Sequence, residues 1–379
     1  MSRSITEAID LMTIRIDSTL EQVGSGFPHY ADPETGTWTT SPTGDWTGGY
    51  WTGMLWLAYS RTGDERYRTA AEDWTERLRG RVGSETVFRG FLFWYGAALG
   101  HVLSGSHTAR EMALAGADGF ASLYNAKASV IPLGREAEEA SDVGLNDANI
   151  DCAQGCALLD WAAQESGRDE LREIGVSHVR TLIDFCLRDD GSVCQSARFD
   201  DKTGELMERY THKGFSDGST WTRAQAWAML GFATAAARSE DPVFLKSARK
   251  ATDWWLDHIP AGHVAYWDFD APREPTTKRD TSGTAIAAAA MLKLAALLGG
   301  SDPTAGRRYR DAAADTAQAL LDDYLTPTGP GDPRAAGILT EACYNHRIGL
   351  ATQHELIWGS YYLYEALHVL AGHVDALEM

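Results

Sequence analysis

A single aspartate, Asp151, is the residue of this chain best placed to do acid–base chemistry. It lies in the run 149–161, which reads NIDCAQGCALLDW. A helix over this run would turn its small and apolar residues inward and would begin at Asp151, where backbone N–H groups and the helix dipole favour a carboxylate. Asp151 is therefore either a plain helix-terminus residue or, if an apolar pocket raises its pKa, a proton donor.

Two other pairs have a spacing that could serve chemistry. Arg223 and Trp227 are four residues apart, so one helix face would present a cation beside an aromatic ring. Cys152 and Cys156 have the same spacing and could face one metal ion, but no CxxC or HExxH pattern accompanies them. We expect these two, like the other three of the five cysteines, to be reduced and buried, and we predict no metal site.

The composition excludes some classes of partner. The chain has 379 residues, a net charge of −19 and 44% hydrophobic residues. Most of its surface would repel a nucleic acid or an anionic membrane, so we expect neither as a partner. A small anionic substrate stays possible, because one local arginine outweighs a distant field that salt screens within about 10 Å.

In the first 23 residues, charged residues interrupt the apolar positions, as in an amphipathic helix. This stretch lacks the apolar core of a signal peptide. No window of about 18 uninterrupted apolar residues predicts a membrane span. These patterns indicate a cytoplasmic protein. Nothing in the sequence indicates an oligomeric state.

The elements that would position Asp151 are almost all helices. Strand-like sequence is restricted to 192–199, 264–269 and a short piece near Thr37. The predicted helices are 3–22, 48–61, 64–82, 90–104, 107–125, 147–166, 168–187, 220–238, 242–258, 281–299, 303–324 and 355–371.

Helices rich in aromatic and small residues alternate with charged amphipathic ones. The first kind belongs inside a fold and the second outside. Six such pairs predict an (α/α)6 toroid, an all-α fold, and the absence of a linker predicts one domain over 1–379. An irregular bundle and an open solenoid are the alternatives, although no strict repeat of about 34–45 residues supports a solenoid.

Long loops precede several of the apolar helices, at 24–46, 126–148, 188–219 and 325–354. In a toroid they would meet at one end and form a pocket. Aromatic side chains are frequent near that end and would suit the C–H faces of sugar rings; they are Trp38, Trp46, Trp51, Tyr210, Trp221, Trp227, Tyr266, Trp267 and Tyr344.

Several motifs, in order, resemble the unsaturated glucuronyl hydrolases of glycoside hydrolase family 88 over almost the whole chain. They are FPH at 27–29, DWTGGYWTGMLW at 45–56, TGDERYR at 62–68, IDC at 150–152, THKG at 211–214, DGSTWTRAQAW at 217–227, YWDF at 266–269, RDTS at 279–282 and IWGSYY at 357–362. The resemblance independently implies the (α/α)6 fold.

The resemblance also implies a reaction. These enzymes hydrate the C4=C5 enol ether of an unsaturated uronic acid at a non-reducing end, and the resulting hemiketal opens and releases the aglycone. The aspartate that protonates C4 and assists the attack of water at C5 corresponds to Asp151. No metal or organic cofactor is implied. Around the sugar, the resemblance retains Trp46, Arg223 and Trp227, and it also places His212 near the substrate.

The chain departs from the family pattern at several site positions. A His-Asp pair of the family, which includes its second active-site carboxylate, is Val87-Phe88 here. A histidine is replaced by Gln195 and a glutamine by Lys213, and a pocket tryptophan has no counterpart in 131–134. We expect Phe88 to desolvate Asp151, and Lys213 with Arg223 to form the anion-binding side.

Three functions are consistent with these sequence features. The first is a hydrolase of unsaturated or otherwise modified uronic-acid glycosides. The second is a lyase or isomerase on the same scaffold, since fold alone does not decide the reaction. The third is a non-catalytic sugar-binding protein, which the lost His-Asp pair would suit. The lyase or isomerase reaction would use Asp151 together with one of His212, Tyr210, Glu139, Asp142 and Asp147.

Overall fold

The computed structural model describes residues 3–138, 144–327 and 334–379, and this part of the chain is predominantly helical. Each of the twelve predicted helices is present, so the helical class is confirmed. The helices are α1 (Ile5–Val23), α2 (Gly48–Thr62), α3 (Glu65–Arg77), α4 (Arg89–Phe93), α5 (Leu99–Ser104), α6 (His107–Ala121), α7 (Cys156–Ser166), α8 (Asp169–Cys186), α9 (Thr222–Arg238), α10 (Pro242–His258), α11 (Thr281–Leu298), α12 (Pro303–Asp323) and α13 (Ile357–Leu370).

The helices form two sets. In the inner set, α2, α4, α7, α9, α11 and α13 each contact the next, and α13 contacts α2, so the set closes on itself. Each inner helix also packs against one outer helix, drawn from α3, α6, α8, α10, α12 and α1. The alternation of apolar and charged helices in the sequence therefore corresponds to an inside and an outside.

Burial follows the same division. Helices α9, α11 and α13 are buried over nearly their whole length, whereas α8, α10 and α12 bury one face only. Helix α11 is long and apolar enough to cross a membrane by composition, but 89% of it is buried inside the fold. It is therefore accounted for as a core helix.

Capping residues explain several of the helix boundaries. Ser4 and Glu7 form a capping box at the start of α1. Asp241 and Asp302 each accept a backbone hydrogen bond at the start of α10 and α12, where proline occupies the first turn. Such side chains are visible in the sequence, and so these boundaries lie within a few residues of the predicted ones.

Two predicted helices are interrupted. Residues of the 90–104 helix form a π-helical segment, Trp94–Ala98, between α4 and α5. The helix predicted over 147–166 begins with a 3-10 turn, Ile150–Gly155, before α7. Close approach of backbones at this point is possible because both partners are glycines: a Cβ on Gly90 would lie 3.0 Å from the Cα of Gly155.

In the described part of the chain, six short strands form two antiparallel three-stranded sheets outside the helical core. The first sheet has the order β2 (Trp38–Ser41), β1 (Phe27–Ala31), β6 (Glu355–Leu356), and the second has the order β3 (Ala148–Asn149), β4 (Ser196–Phe199), β5 (Leu206–Tyr210). The prediction of strand-like sequence within 192–199 and near Thr37 is thus confirmed.

The strand predicted over 264–269 is wrong. Within this segment Tyr266 pairs with Arg279 and Asp268 pairs with Trp221, each through an isolated bridge. The two partners lie in different segments, so no continuous ladder forms.

Candidate active site

The second sheet brings the segments of the site together. Ser196 of β4 stands opposite Asn149 on one side and Tyr210 on the other. The backbone N–H of Ile150 then donates to the carbonyl of Gln195, at 2.9 Å. The chain that leads to Asp151 is therefore fastened through its backbone beside Gln195 and beside the loop that follows β5.

Asp151 lies in the 3-10 turn and is only 6% exposed. Its Oδ1 atom is buried without a hydrogen-bond partner in the described part of the chain. Burial raises the pKa of Asp151 to about 6, and the positive fields of His212 and Arg223 and a hydrogen bond from Gln195 oppose this only in part. A carboxyl with such a pKa can hold a proton and deliver it near neutral pH.

Gln195 fastens the loop that carries the next two site residues. Its Oε1 accepts from the Thr211 hydroxyl at 2.6 Å and from the backbone N–H of Lys213 at 3.2 Å. Its Nε2 lies 3.3 Å from Nε2 of His212, and the other ring nitrogen of His212 lies 3.4 Å from the Ser196 hydroxyl. The structure thus brings Asp151, Gln195 and His212 together, as the sequence predicts.

Lys213 is 4% exposed and lies among aromatic rings. Its Nζ is 5.0 Å from the ring centre of Tyr344, 5.6 Å from that of Trp221 and 6.0 Å from that of Trp46. Burial holds the pKa of Lys213 well below its usual range, and the charge of Arg223 adds to this effect. An anionic ligand beside this amine would favour its charged form.

Arg223 is almost fully buried and is bound mainly by the protein. Its Nη1 donates to Oδ2 of Asp280 at 2.7 Å and also to the carbonyl of Cys343, while Nη2 donates to the carbonyl of Tyr344. Its guanidinium lies over the ring of Trp221, 4.2 Å from the ring centre. Arg223 therefore fixes the loop that supplies Tyr344, and its charge is balanced by Asp280.

An aromatic wall lies around Phe88, the position at which the resemblance implies a second carboxylate in the family. Phe88 lies 5.9 Å from Trp46 and 5.6 Å from Phe91, measured between ring centres. Phe91 in turn stacks on Trp227, at 5.9 Å. All four rings are buried, so this side of the site offers apolar surface and no hydrogen bond from a carboxylate.

Trp46 is positioned by Tyr344, which was predicted near it, and by Asp45 and His29, for which the sequence predicts no role. Asp45 has a φ of 50°, an uncommon backbone conformation that aspartate tolerates better than most residues, and its Oδ1 accepts from the backbone N–H of Trp46 at 2.6 Å. His29 lies 3.7 Å from Asp45, and the ring N–H of Trp46 donates to the Tyr344 hydroxyl at 3.2 Å. His29 lies in the FPH motif and Asp45 in the DW motif, and these motifs are the sequence signal for both residues.

Not every aromatic residue predicted at this mouth is there. Trp38 donates to Thr19 of α1, and Trp51 packs edge-on against Trp74 of α3. The alternation of aromatic residues along α2 sends Trp51 toward the outer helices, because neighbouring helix positions point in different directions. The prediction of one shared mouth is therefore wrong for Trp38 and Trp51.

Two of the alternative partners predicted for Asp151, Tyr210 and Asp147, are engaged with other groups. Tyr210 donates to Asp147 at 2.6 Å, and Asp147 also pairs with Arg198 at 3.4 Å. Glu139 and Asp142 lie outside the described residues.

All five cysteines are free and buried, which confirms the prediction made for them.

A buried carboxyl with a raised pKa, together with an aromatic cage that contains a lysine, is a site that suits a glycoside hydrolase. No family model matches the chain. The chain is 34% identical over 352 residues to an unsaturated glucuronyl hydrolase of Bacillus sp. strain GL1, and the matched region covers 92% of each chain. It is 29% identical to an unsaturated chondroitin disaccharide hydrolase of Streptococcus pyogenes serotype M1, covering 96% of this chain and 90% of the relative.

The fold agrees with this similarity. A solved structure of a UGL variant with dGlcA-Glc-Rha-Glc superposes with a TM-score of 0.90 at 33% identity, over 97% of each chain. The chain belongs to the unsaturated glucuronyl hydrolase family and is a glycoside hydrolase.

Proposed function

We propose that this hydrolase removes an unsaturated uronic acid from the non-reducing end of an oligosaccharide by hydrating its C4=C5 bond. Asp151 donates its proton to C4, and water adds at C5 and returns a proton to the carboxylate. The product is a hemiketal, which opens and expels the aglycone. Proton uptake and release balance at Asp151, so no cofactor takes part.

The state of the Asp151 carboxyl is the observation that carries this proposal. With a pKa of about 6, roughly one molecule in ten holds the proton at pH 7, and more do so in mildly acidic solution. Oδ1 has no hydrogen-bond partner among the described residues, so we assign it to the contact with a substrate atom. An ordinary exposed aspartate would be protonated about a hundred times less often at the same pH.

Lys213 and Arg223 support a uronate as the substrate. The charge of Arg223 is balanced by its ion pair with Asp280. On this side of the site, the amine of Lys213 is the second cationic group for an anionic substrate. A bound carboxylate raises the pKa of Lys213 toward its usual range, and the resulting ion pair is shielded from water by Trp46, Trp221 and Tyr344.

The wall of Phe88 and Val87 bears on the sugar's other face. Both side chains are buried, and neither can bind a hydroxyl group there. We therefore propose that the preferred uronate differs from the family's usual one at the face that meets Phe88, by lacking a hydroxyl or carrying a substituent. The lyase or isomerase reaction and the non-catalytic role gain no comparable support.

The architecture belongs to the same proposal. The closed inner set of helices and its outer partners support an (α/α)6 toroid that forms a single domain over 1–379, with the site at the end where the second sheet lies. The location in the cytoplasm stays a prediction from the sequence.

The test uses the ultraviolet absorbance of the conjugated enol-ether carboxylate, followed with a panel of lyase-generated unsaturated disaccharides. We expect the wild-type protein to abolish the absorbance of at least one, and Asp151→Asn to do so for none. The matched control is Asp253→Asn on the outer helix α10, where the carboxylate pairs at the surface with Arg308. An active Asp151→Asn variant, or an inert wild-type protein, would contradict the proposal.

A further inference from the structure

Three buried polar side chains meet on the inner side of the helical ring, next to the turn that carries Asp151. They are Tyr95 of the π-helical segment, Gln154 of the 3-10 turn and Tyr362 of α13, and we call them the axial cluster. The Tyr362 hydroxyl is 2.6 Å from Oε1 of Gln154 and 2.6 Å from the Tyr95 hydroxyl. The Tyr95 hydroxyl also bonds to Oε1 of Gln154.

These contacts fix the orientation of the Gln154 amide. Its oxygen faces two hydroxyl groups that can donate, so its NH₂ group points the other way. That group donates to the backbone carbonyl of Asp151, at 3.2 Å. The axial cluster is thus connected to the main chain of Asp151 by one side chain.

Other bonds hold the neighbouring residues of the same turn. His178 of the outer helix α8 accepts from the backbone N–H of Ile131 at 3.1 Å, and its other ring nitrogen lies 3.4 Å from the carbonyl of Cys152. The tie to the Asp151 carbonyl itself comes from Gln154. Loss of the axial cluster would therefore loosen the turn at Asp151.

Tyr95 reaches this cluster from the π-helical segment Trp94–Ala98, which lies between α4 and α5. A π-helical segment in an otherwise α-helical stretch is uncommon and often accompanies a functional site. Tyr95 also stacks on Tyr50, at 4.6 Å between ring centres, so its ring is held on a second side. The three members of the cluster come from three different elements of the ring.

We propose that the axial cluster is a positioning device, which holds the turn so that the Asp151 carboxyl stays withdrawn from water with Oδ1 directed at the substrate. This inference deepens the proposed function, on which its catalytic part rests. Tyr95, Gln154 and Tyr362 act through the main chain of Asp151 and do not touch the sugar.

A pH-dependent readout follows from this role. Among the described residues, the groups that interact electrostatically with Asp151 are His212, Arg223, Gln195, Tyr50, Cys152 and Cys186. None of these side chains is replaced in a variant of Tyr362 or Gln154, and Gln154→Met also leaves in place the interaction between Tyr362 and Tyr50. If the loosened turn admits water to the carboxyl, burial raises its pKa less, and the pKa falls toward that of an exposed aspartate.

The experiment is a carboxyl ¹³C NMR titration of selectively labelled aspartates, with Asp151→Asn to identify the resonance. We expect the pKa of Asp151 to fall by about one unit in Tyr362→Phe and in Gln154→Met. The matched control is Tyr364→Phe, on the same helix, which removes a buried hydroxyl that contacts Thr13 of α1 at 2.9 Å. It should leave the Asp151 pKa unchanged.

Kinetics provides the second readout. We expect Tyr362→Phe to lower kcat about tenfold with little change in KM, and to move the fall of kcat at high pH to a lower pH. An Asp151 titration identical in wild type, Tyr362→Phe and Tyr364→Phe overturns the inference, whether or not the protein hydrolyses the substrates tested. If Tyr362→Phe does not fold, Tyr95→Phe, which keeps the bond between Tyr362 and Gln154, decides by the same criterion.

Discussion

Replacement of Asp280 by asparagine tests whether Arg223 is held by a true buried ion pair. The two side chains are 1% and 0% exposed, and Oδ2 of Asp280 accepts from Arg223 at 2.7 Å. The other oxygen, Oδ1, accepts from the N–H and hydroxyl of Ser282, from the N–H of Gly283 and from the N–H of Cys343. Asp280→Asn can keep all the bonds to Oδ1 and removes the charge opposite Arg223.

The magnitude follows from this division. Breaking a buried pair while its partner stays charged typically costs about 3–5 kcal/mol, because the remaining ion lies in a poor solvent. Within the described residues, Arg223 would keep only the carbonyls of Cys343 and Tyr344 as hydrogen-bond acceptors, beside its contact with the Trp221 ring. We therefore expect Asp280→Asn to lower the free energy of unfolding by about 3–5 kcal/mol.

Urea unfolding, followed by circular dichroism, measures this loss. Asp253→Asn is the control, because its pair with Arg308 is 42–51% exposed and should contribute at most about 1 kcal/mol. A loss for Asp280→Asn no greater than that of the control would refute the reasoning. The unbalanced Arg223 should also lower the pKa of Asp151 further, so the decline of kcat should begin at a lower pH.

Three further predictions concern the site itself. Burial raises the pKa of Asp151 above its value in the unfolded chain. The buried carboxyl therefore leaves the stability of the folded state unchanged below about pH 4 and lowers it by about 3 kcal/mol above pH 6. Asp151→Asn should unfold at a higher urea concentration than wild type at pH 7 but not at pH 4, and an equal difference at both pH values would contradict this. Phe88→Asp combined with Val87→His should increase activity toward the family's usual unsaturated uronate, measured as kcat/KM, and no gain would mean that the pocket differs beyond these two positions. Lys213→Met should raise KM for a uronate about tenfold with little effect on kcat, whereas Lys278→Met, which removes a surface amine bonded to Gln353, should leave KM unchanged.

The helices could be predicted because their signals are local. Periodic apolar residues and capping side chains such as Asp241 lie within a few residues of the ends that they define. The π-helical segment could not be predicted, since it depends on how one inner helix packs against its neighbours. Short strands such as β3, with two residues, carry too little sequence pattern to be recognised.

The candidate site was predictable to a different extent. Asp151, Gln195, His212 and Lys213 were predicted through the resemblance, and the structure brings them together. The partner of Arg223 was not, because Asp280 is 57 residues away and no local pattern links the two. The direct anion-binding role of Arg223 stays a prediction, since its resolved hydrogen bonds go to the protein.

The second sheet has an evolutionary consequence. Strands β3, β4 and β5 are joined by bonds between main-chain atoms, and these tolerate exchange of the side chains nearby. Side chains at 212 and 213, which follow β5, can therefore be altered while the backbone that leads to Asp151 keeps its path. Substrate preference can then change one side chain at a time without displacing the Asp151 carboxyl.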